Sequence, residues 1–237
     1  MTEELTLLTL TAASLGFVHT ILGPDHYIPF ITLAKASKWS ITKTTSITVL
    51  CGVGHILSSV LIGAIGIALG LALKSVEYFE SIRGEIAGWL LITFGLLYLL
   101  WGIKKAVKFK PHTHFHIHED NLVHTHEHIH SYAHTHVHQE TKDKKLTPWV
   151  LFIIFIFGPC EALIPILMYP AATASTFSLI LVITVFGLTT ITTMLGIVLL
   201  SLYGLKTISL PSIERYSHAL AGFLIFSCGV AIIFLGL

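Results

Sequence analysis

Six apolar runs divide the chain, three on each side of one long polar segment. The runs cover residues 5–34, 41–73, 86–107, 149–172, 177–205 and 219–237. A helix that crosses a bilayer needs about 20 apolar residues, so each run is long enough for one span. The pattern therefore predicts an all-α membrane protein with six transmembrane helices.

Prolines interrupt the first and the fourth run at corresponding places. The interruptions are Gly23-Pro24 and Gly158-Pro159. Proline has no N–H and clashes with the preceding helical turn, so we expect helices 1 and 4 to be broken there. The N-terminus lacks the basic segment of a secretory leader, and we therefore expect no cleavable signal peptide.

The two apolar halves are similar to each other. Residues 86–95 align with residues 220–229, and residues 23–26 align with residues 158–161 at nearly the same offset. Chance similarity between apolar helices is the alternative, but matches in the same order favour duplication. A three-span unit crosses the membrane an odd number of times, so its copy is inverted. The expected parts are a first three-helix repeat at 1–107, a polar segment at 108–147 and a second repeat at 148–237.

The composition is that of a membrane protein. Of the 237 residues, 54% are hydrophobic and only 11% are charged. Soluble domains carry about a quarter of charged residues. The composition therefore excludes an ordinary soluble enzyme, a disordered chain and a nucleic-acid-binding protein. We expect the lipid bilayer as a partner and no nucleic acid.

Positive charges are distributed unequally between the two sides of the six predicted spans. Twelve of the fourteen Lys and Arg residues fall on the side of the polar segment, and only Lys74 and Arg83 fall on the other. Cytoplasmic loops carry the excess of Lys and Arg in membrane proteins. We therefore expect a multi-pass protein of the cell membrane with a cytosolic polar segment and both termini outside.

Histidine is concentrated in the polar segment, where 11 of the 15 histidines lie. Most of them occur at every second position, and alternate residues share a face in an extended chain. Imidazole nitrogen binds zinc, copper, nickel and cobalt. An exposed pH-sensitive linker is the alternative, but the composition favours a metal-binding segment without a fixed fold when metal is absent. The expected ligands are His112, His114, His116, His118, His124, His126, His128, His130, His134, His136 and His138.

A second group of polar residues lies inside the apolar runs, close to the two Gly-Pro interruptions. Ionisable residues are costly in lipid and usually mark an ion or substrate path. Each also has a structural explanation: a lone histidine can bond a backbone carbonyl, Asp25 can cap a helix, and Cys160 can fill a small space. Taken together at corresponding interruptions, they predict one metal site on the transport path. The expected ligands are His19, Asp25, His26, His55, Cys160 and Glu161.

The first-helix motif resembles that of a known transporter superfamily. Gly16-Phe-Val-His19, followed by Gly23-Pro-Asp-His26, is similar to the signature of NicO and UreH-like nickel–cobalt transporters. Five residues separate His19 from Asp25 here, whereas the nickel import branch has four, so the UreH-like branch is the better match. The resemblance implies that His19, Asp25 and His26 are metal ligands, and His55 matches a looser Gly-His element.

A second resemblance concerns the fourth apolar run. Its Phe157-Gly-Pro-Cys160 sequence is similar to the Pro-Cys helices of the CcdA and DsbD thiol–disulfide electron conduits, which are also inverted three-span repeats. That mechanism needs one redox cysteine in each repeat. The first repeat has Asp25 at the corresponding place, and Cys51 and Cys228 lie elsewhere. This resemblance therefore implies a shared fold more than a shared chemistry.

The main expectation is a transporter of divalent transition metals rather than an enzyme. Nickel or cobalt is the expected cargo, with zinc as an alternative, and no resident cofactor is expected. We expect efflux by ion-coupled alternating access, since no nucleotide-binding motif is present in the sequence. The alternatives are a thiol–disulfide electron conduit of the CcdA/DsbD type, nickel uptake, or an accessory protein for metalloenzyme maturation. The sequence leaves a homo-oligomer open.

Overall fold

The structure, a computed structural model, describes residues 3–108, 112–117, 123–128, 146–158, 160, 162–172, 176–206 and 214–236. Helices account for most of this part of the chain. The helices of the first half are α1 (Glu3–Leu22), a 3-10 helix (Pro24–His26), α2 (Ile28–Ala36), α3 (Ile41–Ala68) and α4 (Leu73–Lys108). Those of the second half are α5 (Leu146–Phe157), α6 (Leu163–Ala172), α7 (Thr176–Lys206) and α8 (Ser217–Leu235).

Within the described residues, five helices are long and apolar enough to cross a membrane: Glu3–Leu22, Ile41–Ala68, Leu73–Val107, Thr176–Leu205 and Ser217–Leu235. Their outer surfaces carry large apolar side chains that are more than half exposed. Examples are Leu10, Leu61, Leu97, Leu200 and Phe234. Contiguous apolar surface of this extent indicates contact with lipid rather than with water. The protein is therefore a helical, multi-pass membrane protein.

Helix ends differ from the predicted runs at one notable place. The sequence predicts a third span over residues 86–107, but α4 begins at Leu73, more than three turns earlier. The added turns contain Glu80 and Arg83, which pair with each other inside the protein. Because the two charges pair with each other inside the protein, this part of the chain stays in the packed helix and does not form an exposed connection between spans.

The helices pack as pairs drawn from the two halves. Helix α4 lies along α8, α1 lies against α7, and α3 contacts α5, α6 and α7. One apolar core contains Phe30, Leu33, Leu151 and Ile225. A second core, around Phe186, lies where α1, α3, α6 and α7 meet. The two halves thus form one helical body.

Glycines allow α4 and α8 to approach backbone to backbone. A Cβ atom on Gly95 would collide with the backbone of Phe226, and one on Gly229 would lie 2.7 Å from the amide nitrogen of Ile92. At both glycines, a Cβ atom would lie closer than 3.0 Å to the opposite backbone, which real Cβ atoms essentially never do. Neither position therefore accepts a side chain without movement of a helix. The contact is reciprocal, because in this pair a glycine of each helix lies against the backbone of the other helix.

Two short strands are described in the His-rich segment. Strands β1 (His112–Ile117) and β2 (Val123–His128) form an antiparallel pair. These two stretches have regular structure, which differs from the expectation of no fixed fold and adds two strands to the helices of the described residues. The intervening residues Phe115, Ile117 and Val123 are of types that favour strands. His118, His130, His134, His136 and His138 lie outside the described residues.

The register of this strand pair brings histidine opposite histidine. His112 pairs with His128, and His116 pairs with His124. Between them lies a third pair of the same kind, since His114 is opposite His126. Alternate residues of a strand share a face, so all of these histidines belong to one face of the two-stranded ribbon.

Candidate metal site

Three histidines meet where α1 ends. His19 lies in the last turn of α1, His26 ends the 3-10 helix, and His55 lies near the middle of α3. One ring nitrogen of each lies within 4.8 Å of the others. The ring of His26 stands edge-on to the other two, with its centroid 4.7 Å from that of His19 and 5.1 Å from that of His55. His26 and His55 are buried and His19 is half-buried.

One side of the His26 ring is bonded and the other is not. Its Nδ1 lies 3.1 Å from Oδ1 of Asp25 and 3.2 Å from the carbonyl oxygen of Gly23. Both partners are acceptors, so Nδ1 carries the hydrogen and Nε2 presents a lone pair. Nε2 is buried and has no hydrogen-bond partner. This is the arrangement of a metal-binding histidine whose second nitrogen is held by a carboxylate or carbonyl.

His55 repeats this pattern with a partner from the other half of the chain. Its Nδ1 faces the carbonyl oxygen of Phe155 in α5 at 3.4 Å, and its Nε2 is buried without a partner. Leaving a buried polar atom unsatisfied costs about 1–3 kcal/mol. Two such atoms beside a third imidazole are the donor set that a transition-metal ion satisfies. The chemistry of these residues therefore fits a metal ion.

The glycines of the two Gly-Pro sequences make room for the rings. A Cβ atom on Gly23 would lie 2.5 Å from Nδ1 of His26. A Cβ atom on Gly158 would lie 3.1 Å from Nδ1 of His55. Each glycine thus allows an imidazole to lie directly over the backbone at the end of a helix.

Asp25 was predicted as a direct ligand, and the structure places it next to the cluster rather than in it. Its side chain is 21% exposed and bonds Nδ1 of His26. A small cavity of about 20 Å³ is lined by Asp25, His55, Phe155 and Gly158, among others. That volume holds about one water molecule. Asp25 is therefore placed to orient His26.

Cys160, from the second half of the chain, lies next to the cluster of three histidines. Its Sγ lies 3.9 Å from Nε2 of His19, and the residue is fully buried. Its amide nitrogen donates to Oε2 of Glu80 at 3.3 Å. The remaining predicted ligand, Glu161, lies outside the described residues.

Sequence reasoning missed the buried pair Glu80 and Arg83. The six predicted spans place Arg83 on a connection between the second and third spans, but only 9% of it is exposed, and Glu80 is fully buried. A Glu-x-x-Arg pair one helical turn apart, close to an apolar run, is the signal that indicates such a pair. Arg83 donates to the carbonyl oxygens of Ile156 and Gly158, at the end of α5.

His218 and two of the cysteines lie away from this cluster. His218 packs against α4, where Tyr98 contacts Nδ1 at 2.8 Å and Lys105 contacts Nε2 at 2.9 Å. Both ring nitrogens are thus occupied. Cys51 and Cys228 are buried, and no disulfide joins any of the cysteines.

The chain belongs to the family described as the cytochrome c biogenesis protein transmembrane region, which matches residues 28–232. The match runs from α2 into α8. It supports membership of a CcdA/DsbD-type membrane family and does not reach the NicO and UreH-like signature, since His19, Asp25 and His26 precede it. It also fits the alternative of a thiol–disulfide conduit better than it fits metal transport. No curated protein and no solved structure matches the chain.

Proposed function

We propose that the protein carries divalent transition-metal ions across the membrane, with His19, His26 and His55 binding the ion in transit. One observation carries the proposal. The Nε2 atoms of His26 and His55 are buried without partners and lie beside a third imidazole. A purely structural histidine in an apolar interior bonds both of its polar atoms or turns one of them to water.

The donor set favours a borderline metal such as nickel, cobalt or zinc. Imidazole binds such ions at about 2.0–2.1 Å. Nitrogens that lie within 4.8 Å of one another reach that geometry by small rotations of the rings. Cys160 and Glu161 are proposed as further ligands from the second half. Transport requires a site that binds the ion strongly enough for entry and weakly enough for release, and a small set of ligands suits this requirement.

Inverted three-helix repeats at 1–107 and 148–237, with helices 1 and 4 broken at Gly-Pro, are the proposed frame for alternating access. Contacts between α4 and α8 support this. Under the alignment of residues 86–95 with 220–229, Gly95 exchanges with Gly229, and Phe226 exchanges with Ile92. Gly95 contacts Phe226 and Gly229 contacts Ile92, so exchanging the two halves turns one contact into the other.

A second glycine pair follows the same exchange. Gly222 lies against the backbone of Leu99, and its counterpart Gly88 lies against Ile233, which is the counterpart of Leu99. A two-fold axis between α4 and α8 explains both sets of contacts. Such an axis brings the two helix interruptions to one place near the middle of the membrane.

The proposed orientation has the segment 108–147 in the cytosol and both termini outside. The excess of Lys and Arg on that side supports it. In this orientation the histidine-rich segment collects ions on the cytosolic side, and efflux is the direction that this arrangement serves. Ion-gradient coupling completes the proposal.

Thiol–disulfide electron transfer is the second candidate, and the family match favours it. Two thiols would form a disulfide and release two electrons and two protons, so two cysteines must reach bonding distance. Cys160 is the cysteine at the site, where its Sγ lies 3.9 Å from Nε2 of His19, and no disulfide joins it to Cys51 or Cys228. A variant in which Cys51, Cys160 and Cys228 are all replaced distinguishes the two candidates.

The deciding experiment measures metal flux in proteoliposomes over a panel of Ni²⁺, Co²⁺, Zn²⁺, Mn²⁺ and Mg²⁺. We expect flux of nickel, cobalt or zinc by the parent protein, loss of it in His26→Ala, and its retention in the matched control His218→Gln. Flux that persists without the three cysteines excludes the thiol conduit. Metal binding without any flux would instead favour an accessory protein. Unchanged flux in a His26→Ala, His55→Ala double variant would contradict the proposed site.

A further inference from the structure

A buried ion pair lies outside the histidine cluster, where it contacts the end of α5 and the amide of Cys160. Glu80 is fully buried and Arg83 nearly so, one turn apart on α4. Taking two charges out of water is costly unless their remaining hydrogen-bonding atoms are satisfied. Here both side chains also bond the backbone around the end of α5, and these bonds indicate the role of the pair.

Arg83 satisfies the end of α5. Its Nη2 donates to the carbonyl oxygen of Ile156 at 2.7 Å and to that of Gly158 at 3.0 Å. Carbonyls in the last turn of a helix have no intrahelical partner, and the bilayer interior offers no water to replace it. The next residue, Pro159, has no N–H to offer. The guanidinium supplies the donors that the interrupted helix lacks.

Glu80 holds the residue that follows the interruption. Its Oε2 accepts from the amide nitrogen of Cys160 at 3.3 Å. Two serines of α3 complete the network. Ser59 donates to Glu80 at 3.2 Å, and Arg83 donates to Ser58 at 2.7 Å. The connection after α5 is thereby fixed to both α3 and α4.

The first interruption is held differently. The carbonyl oxygen of Ile21 accepts from the hydroxyl of Tyr27 at 3.2 Å, and that of Gly23 faces the ring of His26 at 3.2 Å. Ile21 and Gly23 are the counterparts of Ile156 and Gly158 in the aligned halves. Neighbours in the sequence therefore satisfy the first interruption, whereas the second depends on a different helix.

Two atoms of the metal site depend on the segment that Arg83 and Glu80 hold. One is Sγ of Cys160, 3.9 Å from Nε2 of His19. The other is the carbonyl oxygen of Phe155, which faces Nδ1 of His55. Movement of this segment would therefore alter a candidate ligand and the orientation of an imidazole at once.

We propose that Glu80 and Arg83 are positioning residues that hold the second helix interruption in place and so keep Cys160 against His19. This proposal rests on the proposed function, because the atoms that the pair positions belong to the proposed metal site. Its central test does not require transport. Neither residue contacts the ion site directly, so the pair acts through Cys160 and the end of α5.

The test measures the alkylation rate of Cys160 by a membrane-permeant maleimide in a Cys51→Ala, Cys228→Ala background in lipid nanodiscs. Loss of a charged hydrogen-bond network favours local opening, so Arg83→Met should raise the rate about tenfold or more. Glu80→Gln keeps the volume and removes the charge, and a smaller rise is expected. Arg83→Lys should restore part of the protection. Lys74→Met and Glu85→Gln, exposed positions on the same helix, are the matched controls.

Equal rates in the parent, Glu80→Gln and Arg83→Met would overturn the positioning role. So would an equal rise at Cys228 in a Cys51→Ala, Cys160→Ala background, because that result means general loosening. If Arg83→Met does not assemble, Glu80→Gln and Arg83→Lys give the same comparison.

A second measurement separates this proposal from the proposed function. With Co²⁺ bound, the parent should give a thiolate-to-cobalt charge-transfer band, which Arg83→Met should weaken more than it weakens the ligand-field bands. An equal loss of both bands would contradict positioning of Cys160. No cobalt binding by the parent, together with the expected alkylation differences, would overturn the proposed function and leave the positioning role supported.

Discussion

The carboxylate of Asp25 lies 3.1 Å from Nδ1 of the neighbouring His26 and faces away from the free Nε2 of that ring. The carboxylate fixes the side of the imidazole that carries the hydrogen. It also makes the opposite nitrogen a better electron donor. The geometry thus gives Asp25, which the sequence predicts as a ligand, an orienting contact with His26.

Replacing Asp25 with asparagine should weaken metal binding without preventing assembly. The amide keeps the size of the side chain but removes the charge that polarises His26. Loss of such a supporting carboxylate costs about 10–100-fold in metal affinity. We expect the KM of metal flux in proteoliposomes to rise by that factor, with Glu85→Gln unchanged. A wild-type KM in Asp25→Asn would contradict the orienting role.

Gly23→Ala should abolish flux while the protein still assembles. The added Cβ would lie 2.5 Å from Nδ1 of His26, so the ring must leave its position. Gly187→Ala is the matched control, because its Cβ would meet Ile56 at an ordinary 3.4 Å. Flux and size-exclusion profiles of both variants give the comparison. Full flux in Gly23→Ala would show that the ring position is not needed.

Deleting residues 112–138 should leave an assembled membrane protein with altered metal sensitivity. A polar, histidine-rich segment has few apolar side chains with which to form a packed core. We expect an unchanged thermal midpoint, fewer bound ions per chain, and a higher metal concentration for half-maximal flux. A deletion that prevents membrane insertion would mean that the segment is structural.

Gly95→Ala should lower the thermal midpoint, because its Cβ would collide with the backbone of Phe226. Overpacking of this kind costs about 1–3 kcal/mol. Gly196→Ala makes the same change in α7, where a Cβ meets nothing within 4 Å. That control should be neutral or slightly stabilising, since alanine is the better helix former. Equal midpoints for the two variants would contradict the close α4–α8 contact.

Single-cysteine labelling tests the orientation. In a background without native cysteines, an impermeant maleimide should label positions 2 and 237 in intact cells and miss position 125. Permeabilised cells supply the control, because all three positions should then react. Labelling of position 125 from outside would reverse the orientation.

Much of the candidate site follows from residue type and depth in the apolar runs. An ionisable histidine in such a run is costly and usually marks a functional site, and this argument identifies His19, His26 and His55 from the sequence. The partners of the rings could not be predicted in the same way. The carbonyl of Phe155 bonds His55 from across 100 positions of sequence, so only the packing of α3 against α5 creates that bond.

The boundaries of α4 were wrong for a related reason. A helix of 36 residues is about 54 Å long, well beyond the roughly 30 Å of a hydrocarbon core. Sequence reasoning therefore began the span after the charges. Because Glu80 pairs with Arg83, neither charge has to be exposed to water. Such a pair is stable inside the protein only when neighbouring helices supply partners, here serines of α3 and carbonyls of α5.

The strand register in the histidine-rich segment constrains how its length can vary. His114 faces His126 across β1 and β2, and histidines alternate with other residues along both strands. Removing a single residue from one strand would bring each histidine opposite a threonine, phenylalanine or other neighbour and would move one set to the other face. Removing two would restore histidine opposite histidine. Insertions and deletions that preserve this pairing therefore come in even numbers.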